Sequence, residues 1–208
     1  MIKQENQKSF LNQLNYFFKS NAKLVIIAFF TIILLFIFSQ YYFYQKENKI
    51  YELSLLFDQE KNNYNSENFE ETMNLIANEN GIFSILANLE IIKKNLINKN
   101  YSLAYLKYLE ILNKNSSKNI YNSLISLHGS YNLVDHISSE QIINLLSFVD
   151  ESYVNFIGYR EEINYLLAIK NKDSNQRDLL FKQILNNENI TNIIKDRIRK
   201  LNEFEKYK

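Results

Sequence analysis

Two histidines, His128 and His136, are the side chains of this sequence best suited to proton transfer or metal binding near neutral pH. Eight positions apart, they would share roughly one face of a continuous helix. A metal site needs three or four converging ligands, and no His-x-x-x-His or Glu-x-x-His spacing supplies them. Ser126 would point to a different side of a helix than His128, which disfavours a nucleophile–base contact. We predict no metal or catalytic site here, and expect His128 on a helix near a bend at Gly129.

The carboxylates show no spacing that identifies a reaction. Pairs of the glycosidase type could be drawn from Glu90, Glu110, Asp150 and Glu151, but spacing along the chain brings no two of them to a working distance. The adjacent pair Glu161-Glu162 is predicted to lie on a solvated helix face. The three glycines are isolated from one another, which excludes a Gly-rich phosphate loop, and the chain has no cysteine. We predict no enzyme activity, no cofactor and no small-molecule substrate.

The charges of the chain nearly cancel, with 24 basic and 23 acidic residues and a net charge of +1. The chain lacks the net positive charge that binding to nucleic-acid phosphates requires, so we predict no nucleic-acid partner. A basic run near the C-terminus consists of Lys195, Arg197, Arg199 and Lys200, interrupted by Asp196 and apolar positions. We interpret it as a solvated helix flank; contact with anionic lipid or an acidic partner is the alternative.

One nearly uninterrupted apolar segment dominates the N-terminal part of the chain, where every residue from Leu24 to Phe38 is apolar except Thr31. As a helix, these 15 residues would rise about 22 Å, which is short of the ~30 Å hydrocarbon core of a membrane. The segment extends through residues 39–44, and residues 22–44 together are long enough to cross. We therefore predict a transmembrane helix over residues 22–44, whose side chains in the hydrocarbon include Leu24, Phe29, Leu34 and Phe38.

Side chains suited to the membrane–water interface flank this segment. Tyr41, Tyr42 and Tyr44 follow it, and Lys23 at the other end can extend its ammonium group toward water. A cleaved signal peptide is the nearest alternative, but bulky residues follow the segment in place of a small-x-small cleavage site. A buried core helix is disfavoured because the segment is apolar on every side.

The flanking charges predict the orientation of this anchor. Four lysines precede the span, whereas the two lysines just after it are accompanied by Glu47 and Glu52. By the positive-inside rule, residues 1–21 form a cytoplasmic tail and residues 45–208 lie across the membrane. In a Gram-negative bacterium that places a single-pass protein in the inner membrane with a periplasmic domain. A domain facing the cytoplasm is the topological alternative.

After the anchor, apolar residues recur at intervals of three and four, which predicts an all-α domain. The clearest stretch is Ile82 to Leu112, where a polar turn, Asn98-Lys99-Asn100, separates two amphipathic helices. The first predicted face consists of Leu86, Leu89, Ile92, Leu96 and Ile97, and the second of Tyr101, Ala104, Tyr105, Tyr108 and Ile111. Two such helices joined by three residues form an antiparallel hairpin. The three tyrosines are expected to pack inside it; an exposed binding patch is the alternative.

The same pattern recurs along the rest of the chain. A helix over 46–64 is followed by a short helix capped by Ser66, and the predicted helix pairs are 118–134 with 139–149 and 154–170 with 174–186. Ser138 or Ser139 is the expected N-cap of the helix over 139–149. An amphipathic helix from Thr191 to Lys206 closes the series. We predict a short α-solenoid of helical hairpins.

The residues after the first turn resemble a known repeat. Tyr101 followed three positions later by Ala104 is similar to the start of the second helix of a tetratricopeptide repeat, where the small residue allows close helix contact. The whole layout, with the segment Leu86-Ala87-Asn88-Leu89-Glu90 and a late element over residues 165–173, resembles the ancillary SecYEG translocon subunit family. The resemblance implies a membrane-anchored periplasmic tetratricopeptide-like domain beside the translocon. Its implied partners are translocon components, periplasmic chaperones or newly exported chains.

Two other functions stay open. A helical-repeat scaffold of another envelope assembly, such as cytochrome maturation or division, would have the same layout. An enzyme with an unrecognised active site would need a deep pocket with converging polar groups between helices.

Overall fold

The structure of the protein is a computed structural model, which describes residues 19–114 and 120–207. Within those ranges the chain forms nine helices and no strand, which confirms the all-α prediction. Most of the predicted cytoplasmic tail, residues 1–18, lies outside the described residues. The chain divides into two compact units between Leu55 and Leu56, and each is considered by itself.

Helix α1 runs from Ala22 to Glu60 without interruption. The predicted membrane helix and the helix expected after it are therefore one element, which ends four residues earlier than predicted. Just beyond it, Asn62 has a φ of 70°, a left-handed conformation that asparagine tolerates and that ends the helical path.

Eight shorter helices follow in the second unit. They are α2 (Phe69–Ala77), α3 (Ile82–Ile97), α4 (Tyr101–Lys114), α5 (Ile120–Leu133), α6 (Ser139–Leu146), α7 (Val154–Lys170), α8 (Ser174–Asn186) and α9 (Asn192–Glu205). The predicted pairs α3/α4, α5/α6 and α7/α8 are all present. Ser66 does not cap α2, contrary to the prediction, because this helix begins only at Phe69 and the Ser66 hydroxyl accepts from the Asn68 amide instead.

Two of the turns between helices have the same backbone conformation. Lys99 after α3 and Lys172 after α7 have φ values of 58° and 55°. The residue after each lysine closes the turn with a backbone hydrogen bond. The Asn100 amide donates to the Asn95 carbonyl, and the Asp173 amide donates to the Ala168 carbonyl. This is the Schellman arrangement, which satisfies carbonyls at a helix end and reverses the chain. The Asn-Lys-Asn and Asn-Lys-Asp turns predicted from the sequence are thus structural equivalents.

Helix α6 begins with a capping box that decides between the two candidate serines. The Ser138 hydroxyl accepts from the Gln141 amide at 3.3 Å, and the Gln141 side chain accepts from the Ser138 amide at 3.1 Å. The N-cap is therefore Ser138, and two amides at the start of the helix are satisfied reciprocally.

Helix α7 contacts both α5 and α9. Tyr131 of α5 bonds to Glu162 of α7, and Glu162 in turn bonds to Arg197 of α9. Farther along, Tyr165 of α7 reaches Asn202 of α9 at 3.2 Å. Because the contacting positions increase together on α7 and α9, these two helices are parallel. Helix α8 contacts both of them.

Among the described residues of this unit, two clusters of buried apolar side chains join the helices from α3 onward. The larger includes Ile92, Ala104, Tyr108, Leu112, Leu133, Ile142, Leu145 and Ile163, and joins α3 through α7. The smaller includes Tyr165, Leu180, Ile184, Ile190, Ile194 and Ile198, and joins α7, α8 and α9. Not every predicted core residue takes part: Ile97, assigned to the first hairpin face, is 60% exposed because it is the last residue of α3, where the chain turns away.

Candidate functional site

The apolar segment of α1 is exposed on every side of the helix. Leu24, Phe29, Leu34 and Phe38 are each more than half exposed, and no residue of the most apolar window is buried. The one hydroxyl within the segment, on Thr31, donates to the Ile27 carbonyl at 2.9 Å. The surface presented by this stretch is therefore almost entirely hydrocarbon. Helix α1 is long and apolar enough to span a membrane, and an N-terminal signal sequence would share this description.

Polar groups mark the ends of the apolar segment. Tyr41, Tyr42 and Tyr44 are each about 60% exposed or more, and the Gln45 amide donates to the Tyr41 hydroxyl at 2.9 Å. Lys23 is exposed at the other end. Tyrosine and lysine side chains of this kind are common at membrane–water interfaces.

The two histidines are not on one helix, because α5 ends at Leu133 and His136 lies in the turn that follows. Its ring stacks on Tyr101, with ring centres 3.8 Å apart and planes inclined by 2°. The Nδ1 of His128 lies 2.8 Å from the Tyr108 hydroxyl. Partial burial lowers the pKa of His128 and raises the pKa of Tyr108, so a neutral imidazole accepting from a protonated phenol is the favoured state.

The hydroxyl of Ser126 has a structural partner. It donates to the Leu145 carbonyl at 2.5 Å and is fully buried, so it ties α5 to α6 on the side away from His128. Gly129 does not interrupt α5. A Cβ built on it would lie 3.1 Å from the Tyr108 ring, so this glycine makes room for the tyrosine instead of bending the helix. Within the described ranges, no three His, Asp or Glu side chains are grouped as metal ligands would be.

The predicted repeat hairpin combines buried and surface residues. Ala87, Ala104 and Tyr108 are fully buried. Leu89 and Tyr101 are partly buried against the larger cluster, and Leu86 is partly exposed. The Tyr105 hydroxyl is also engaged, since it accepts from Asn144 of α6 at 2.8 Å. The tyrosine stripe therefore contributes chiefly to packing between α4 and the helices that follow it.

Glu162 is not on a solvated face, contrary to the prediction. It is buried on α7, where one oxygen accepts from the Tyr131 hydroxyl at 2.7 Å and both accept from the Arg197 guanidinium. The hydrogen bond to Glu162 raises the pKa of Arg197, and burial raises the pKa of Tyr131. Arg197, predicted to lie on a solvated basic flank, is 45% exposed but bonds to this buried carboxylate. Local sequence could not reveal this network, because its members are 31 and 35 positions apart.

Two lysines, both at the last residue of a helix, bind backbone carbonyls of a neighbouring turn. Lys170 of α7 donates to the carbonyls of Val134 and Ile137, after the end of α5. Lys114 of α4 donates to the carbonyls of Ala77 and Glu79, at the end of α2, at 3.1 and 2.8 Å. A cation at these carbonyls complements the negative end of the preceding helix. These side chains hold the hairpins in register with one another.

Several large apolar side chains lie exposed on the second unit, where a partner protein can contact them. On α5, Tyr121 and Leu124 are 57% and 47% exposed and lie on the same side as His128. On α4, Leu103 and Leu106 are both more than half exposed. Tyrosine is among the side chains that most often anchor protein interfaces.

No family model matches the sequence, and neither a curated protein nor a solved structure matches the chain. The fold and its surfaces define the class as an all-helical protein with one exposed apolar N-terminal helix and a separate helical unit.

Proposed function

We propose that this chain is a single-pass membrane protein whose helical unit binds other proteins. The observation that carries the proposal is the exposed apolar surface of α1 between Leu24 and Phe38. Transfer of one large apolar side chain from water to hydrocarbon contributes about 1.5–3 kcal/mol, so the whole segment contributes on the order of 20 kcal/mol. A gain of this size anchors a protein permanently. The interfacial tyrosines Tyr41, Tyr42 and Tyr44 support the same placement.

The second unit supports a binding function by its geometry. Parallel contacts between α7 and α9, with α8 against both, are those of stacked helical hairpins. A tetratricopeptide-like solenoid is the finer form of this proposal. Stacked hairpins offer an extended surface to a helix or an extended peptide. An anchor raises the effective concentration of that surface for other membrane proteins without any new contact.

In its narrowest form, the proposal places the protein beside the Sec translocon of a bacterial inner membrane, with the second unit in the periplasm. Its partners there are translocon components, periplasmic chaperones or newly exported chains. This form is supported by the resemblance of layout to the ancillary SecYEG translocon subunit family and by the excess of lysines before α1.

The test is photo-crosslinking in living cells. A photoreactive amino acid is introduced at Tyr121 or Leu124, both exposed on α5, and crosslinked products are identified by mass spectrometry. The matched control position is Ile125, the next residue of α5, which is buried. Recovery of translocon or chaperone proteins from the exposed positions, but not from Ile125, is the expected result. Recovery of cytochrome-maturation or division proteins would replace the Sec assignment with that assembly.

Fractionation tests the anchor separately. The full chain is expected to stay with the membrane pellet after alkaline carbonate washing, because hydrocarbon contacts do not depend on charge. Release of the chain into the soluble fraction would contradict the anchor. Cleavage that removes α1 from the mature protein would contradict it too.

A further inference from the structure

The turn between α2 and α3 contains the only Asn-Gly pair of the sequence, Asn80-Gly81. We propose that Asn80 is a site of spontaneous covalent modification, at which the folded protein converts the side-chain amide into a carboxylate by deamidation. This property goes beyond the proposed function and does not depend on it. It follows from the chemistry of the two residues, their exposure, and the free backbone amide between them.

Deamidation at an Asn-Gly pair needs water and no enzyme. The backbone nitrogen of Gly81 becomes a nucleophile when it loses its proton to hydroxide, and it attacks Cγ of Asn80 to form a five-membered succinimide ring. The C–N bond of the side-chain amide breaks, and ammonia leaves with a proton from water. Water then opens the ring at one of its two carbonyls, which leaves aspartate or isoaspartate at position 80. Nothing is oxidised or reduced, and water is the only co-reactant.

The turn leaves room for the ring to form. Asn80 and Gly81 lie outside the helices, and both are exposed. A Cβ built on Gly81 would meet no atom within 4 Å, so the space around this residue is open. Because glycine itself has no Cβ, nothing on residue 81 crowds the approach of its nitrogen to the asparagine side chain. Solvent water therefore reaches both reacting groups.

The nucleophilic nitrogen is not engaged elsewhere. Gly81 is the N-cap of α3, with a φ of 103° that glycine adopts without strain. The first amides of a helix have no carbonyl of the preceding turn to bind. Among the described residues, neither the Gly81 amide nor the Asn80 side chain takes part in a hydrogen bond. Rotation toward the succinimide geometry therefore breaks no hydrogen bond within the described parts of the chain.

The product carboxylate is compatible with its surroundings. Asn80 and Gly81 line a small cavity together with Glu79 and Lys114, whose opposite charges offset one another. The amide end of α3 remains as the positive pole at this place, and a negative charge beside a helix N-terminus is favoured. Each event raises the number of acidic residues from 23 to 24, which equals the 24 basic residues and cancels the net charge of +1.

Two Asn-Ser pairs of the same chain are internal references. Asn65 is exposed like Asn80, but the amide of Ser66 after it donates to the Asn63 carbonyl at 2.9 Å. Asn122 is 3% exposed within α5, where the helical backbone holds the following nitrogen away from the side chain. We therefore expect the folded protein to protect both of these residues and to leave Asn80 reactive.

The test is incubation of the full chain in detergent, in mildly alkaline buffer and below its unfolding temperature. Peptides that contain Asn65, Asn80 and Asn122 are then followed by mass spectrometry, with isoaspartate detected by an isoaspartyl methyltransferase. Deamidation is expected at Asn80 in the folded chain, and at all three residues once denaturant unfolds it. The rate at Asn80 should rise by up to about tenfold per pH unit, as the deprotonated fraction of a weak acid does.

Three variants identify the reacting atoms. Asn80→Gln is expected to abolish the modification, because a six-membered ring forms far more slowly. Gly81→Ala is expected to slow it severalfold, because a methyl group crowds the attacking nitrogen. Asn78→Gln, in the same turn, is the matched control with an unchanged rate. On ion exchange, the modified chain should elute with the Asn80→Asp variant, which has the same charge.

Two results would overturn the proposal. One is an Asn80 amide that lasts as long in the folded chain as the amide of Asn122. The other is an acidic species that forms at the same rate in Asn80→Gln, since its charge would then come from another residue. Circular dichroism of each variant shows that the rates compare folded chains.

Discussion

The carboxylate of Glu162 on α7 receives two hydrogen bonds from the guanidinium of Arg197 on α9, 35 positions later in the chain. The side chain of Glu162 is only 5% exposed, whereas that of Arg197 is 45% exposed. Because Glu162 is buried, loss of Arg197 would leave its carboxylate with neither water nor a cation to stabilise the negative charge. The pair therefore stabilises the fold. The pair also determines how α9 lies against α7.

Removal of the arginine is therefore expected to destabilise the helical unit. We expect Arg197→Met to lower the free energy of unfolding by about 2–3 kcal/mol, below the usual range for a fully buried pair because Arg197 is half exposed. The measurement is denaturant unfolding in mild detergent, monitored by helical circular dichroism. Arg199→Met, which breaks only the exposed pair with Asp196, is the matched control and is expected to cost less than about 0.5 kcal/mol. Equal losses in the two variants would refute the role of Glu162.

A methyl group at Gly129 is expected to destabilise the contact between α4 and α5. The Cβ of Gly129→Ala would lie 3.1 Å from the Tyr108 ring, which has no room to withdraw because it is fully buried. Overpacking of this kind costs about 1–3 kcal/mol, part of which is offset by the ~1 kcal/mol better helix propensity of alanine. Thermal unfolding measures the net loss. Combining Gly129→Ala with Tyr108→Leu should recover stability relative to Tyr108→Leu alone, and a second loss there would contradict the proposed clash.

Stability is expected to fall as the pH is lowered, partly through His128. Its pKa in the folded protein is below the ordinary value of 6.5, so the unfolded chain binds a proton more readily than the folded one. The contribution of His128 is therefore fully present above pH 6.5 and is lost as the pH falls below that value toward the folded pKa. Denaturant unfolding between about pH 5 and pH 8 measures it, a range in which histidine is the side chain that ordinarily titrates. His128→Gln should flatten the curve, and an unchanged slope would assign the effect elsewhere.

The absence of native cysteine allows the orientation to be measured with single introduced thiols. Ser147→Cys, at the exposed end of α6, is expected to react with an impermeant maleimide in cells whose outer membrane alone is permeable. Ser9→Cys, on the other side of α1 in the sequence, should react only after the inner membrane is disrupted. The reverse labelling pattern would place the helical unit in the cytoplasm.

Much of the helical layout could be predicted, because each helix carries its own periodicity and its own end signals. The turns at Lys99 and Lys172 and the capping box at Ser138 depend on residues within a few positions of one another. Features that depend on distant residues could not be predicted. Gly129 was expected to mark a bend, but the ring that fills its place belongs to Tyr108, 21 positions earlier. Likewise, the partner of Ser126 is a carbonyl of the next helix.

By itself, the sequence determined that the described parts of the chain fold into helices and not strands, and that one helix is apolar on every side. Those properties follow from the local order of side chains, which sets periodicity, capping and hydropathy without reference to the rest of the chain. Only the tertiary structure decided which charges are buried and which helices are parallel. These depend on contacts between side chains 20 to 40 positions apart, and such contacts exist only once the helices have packed.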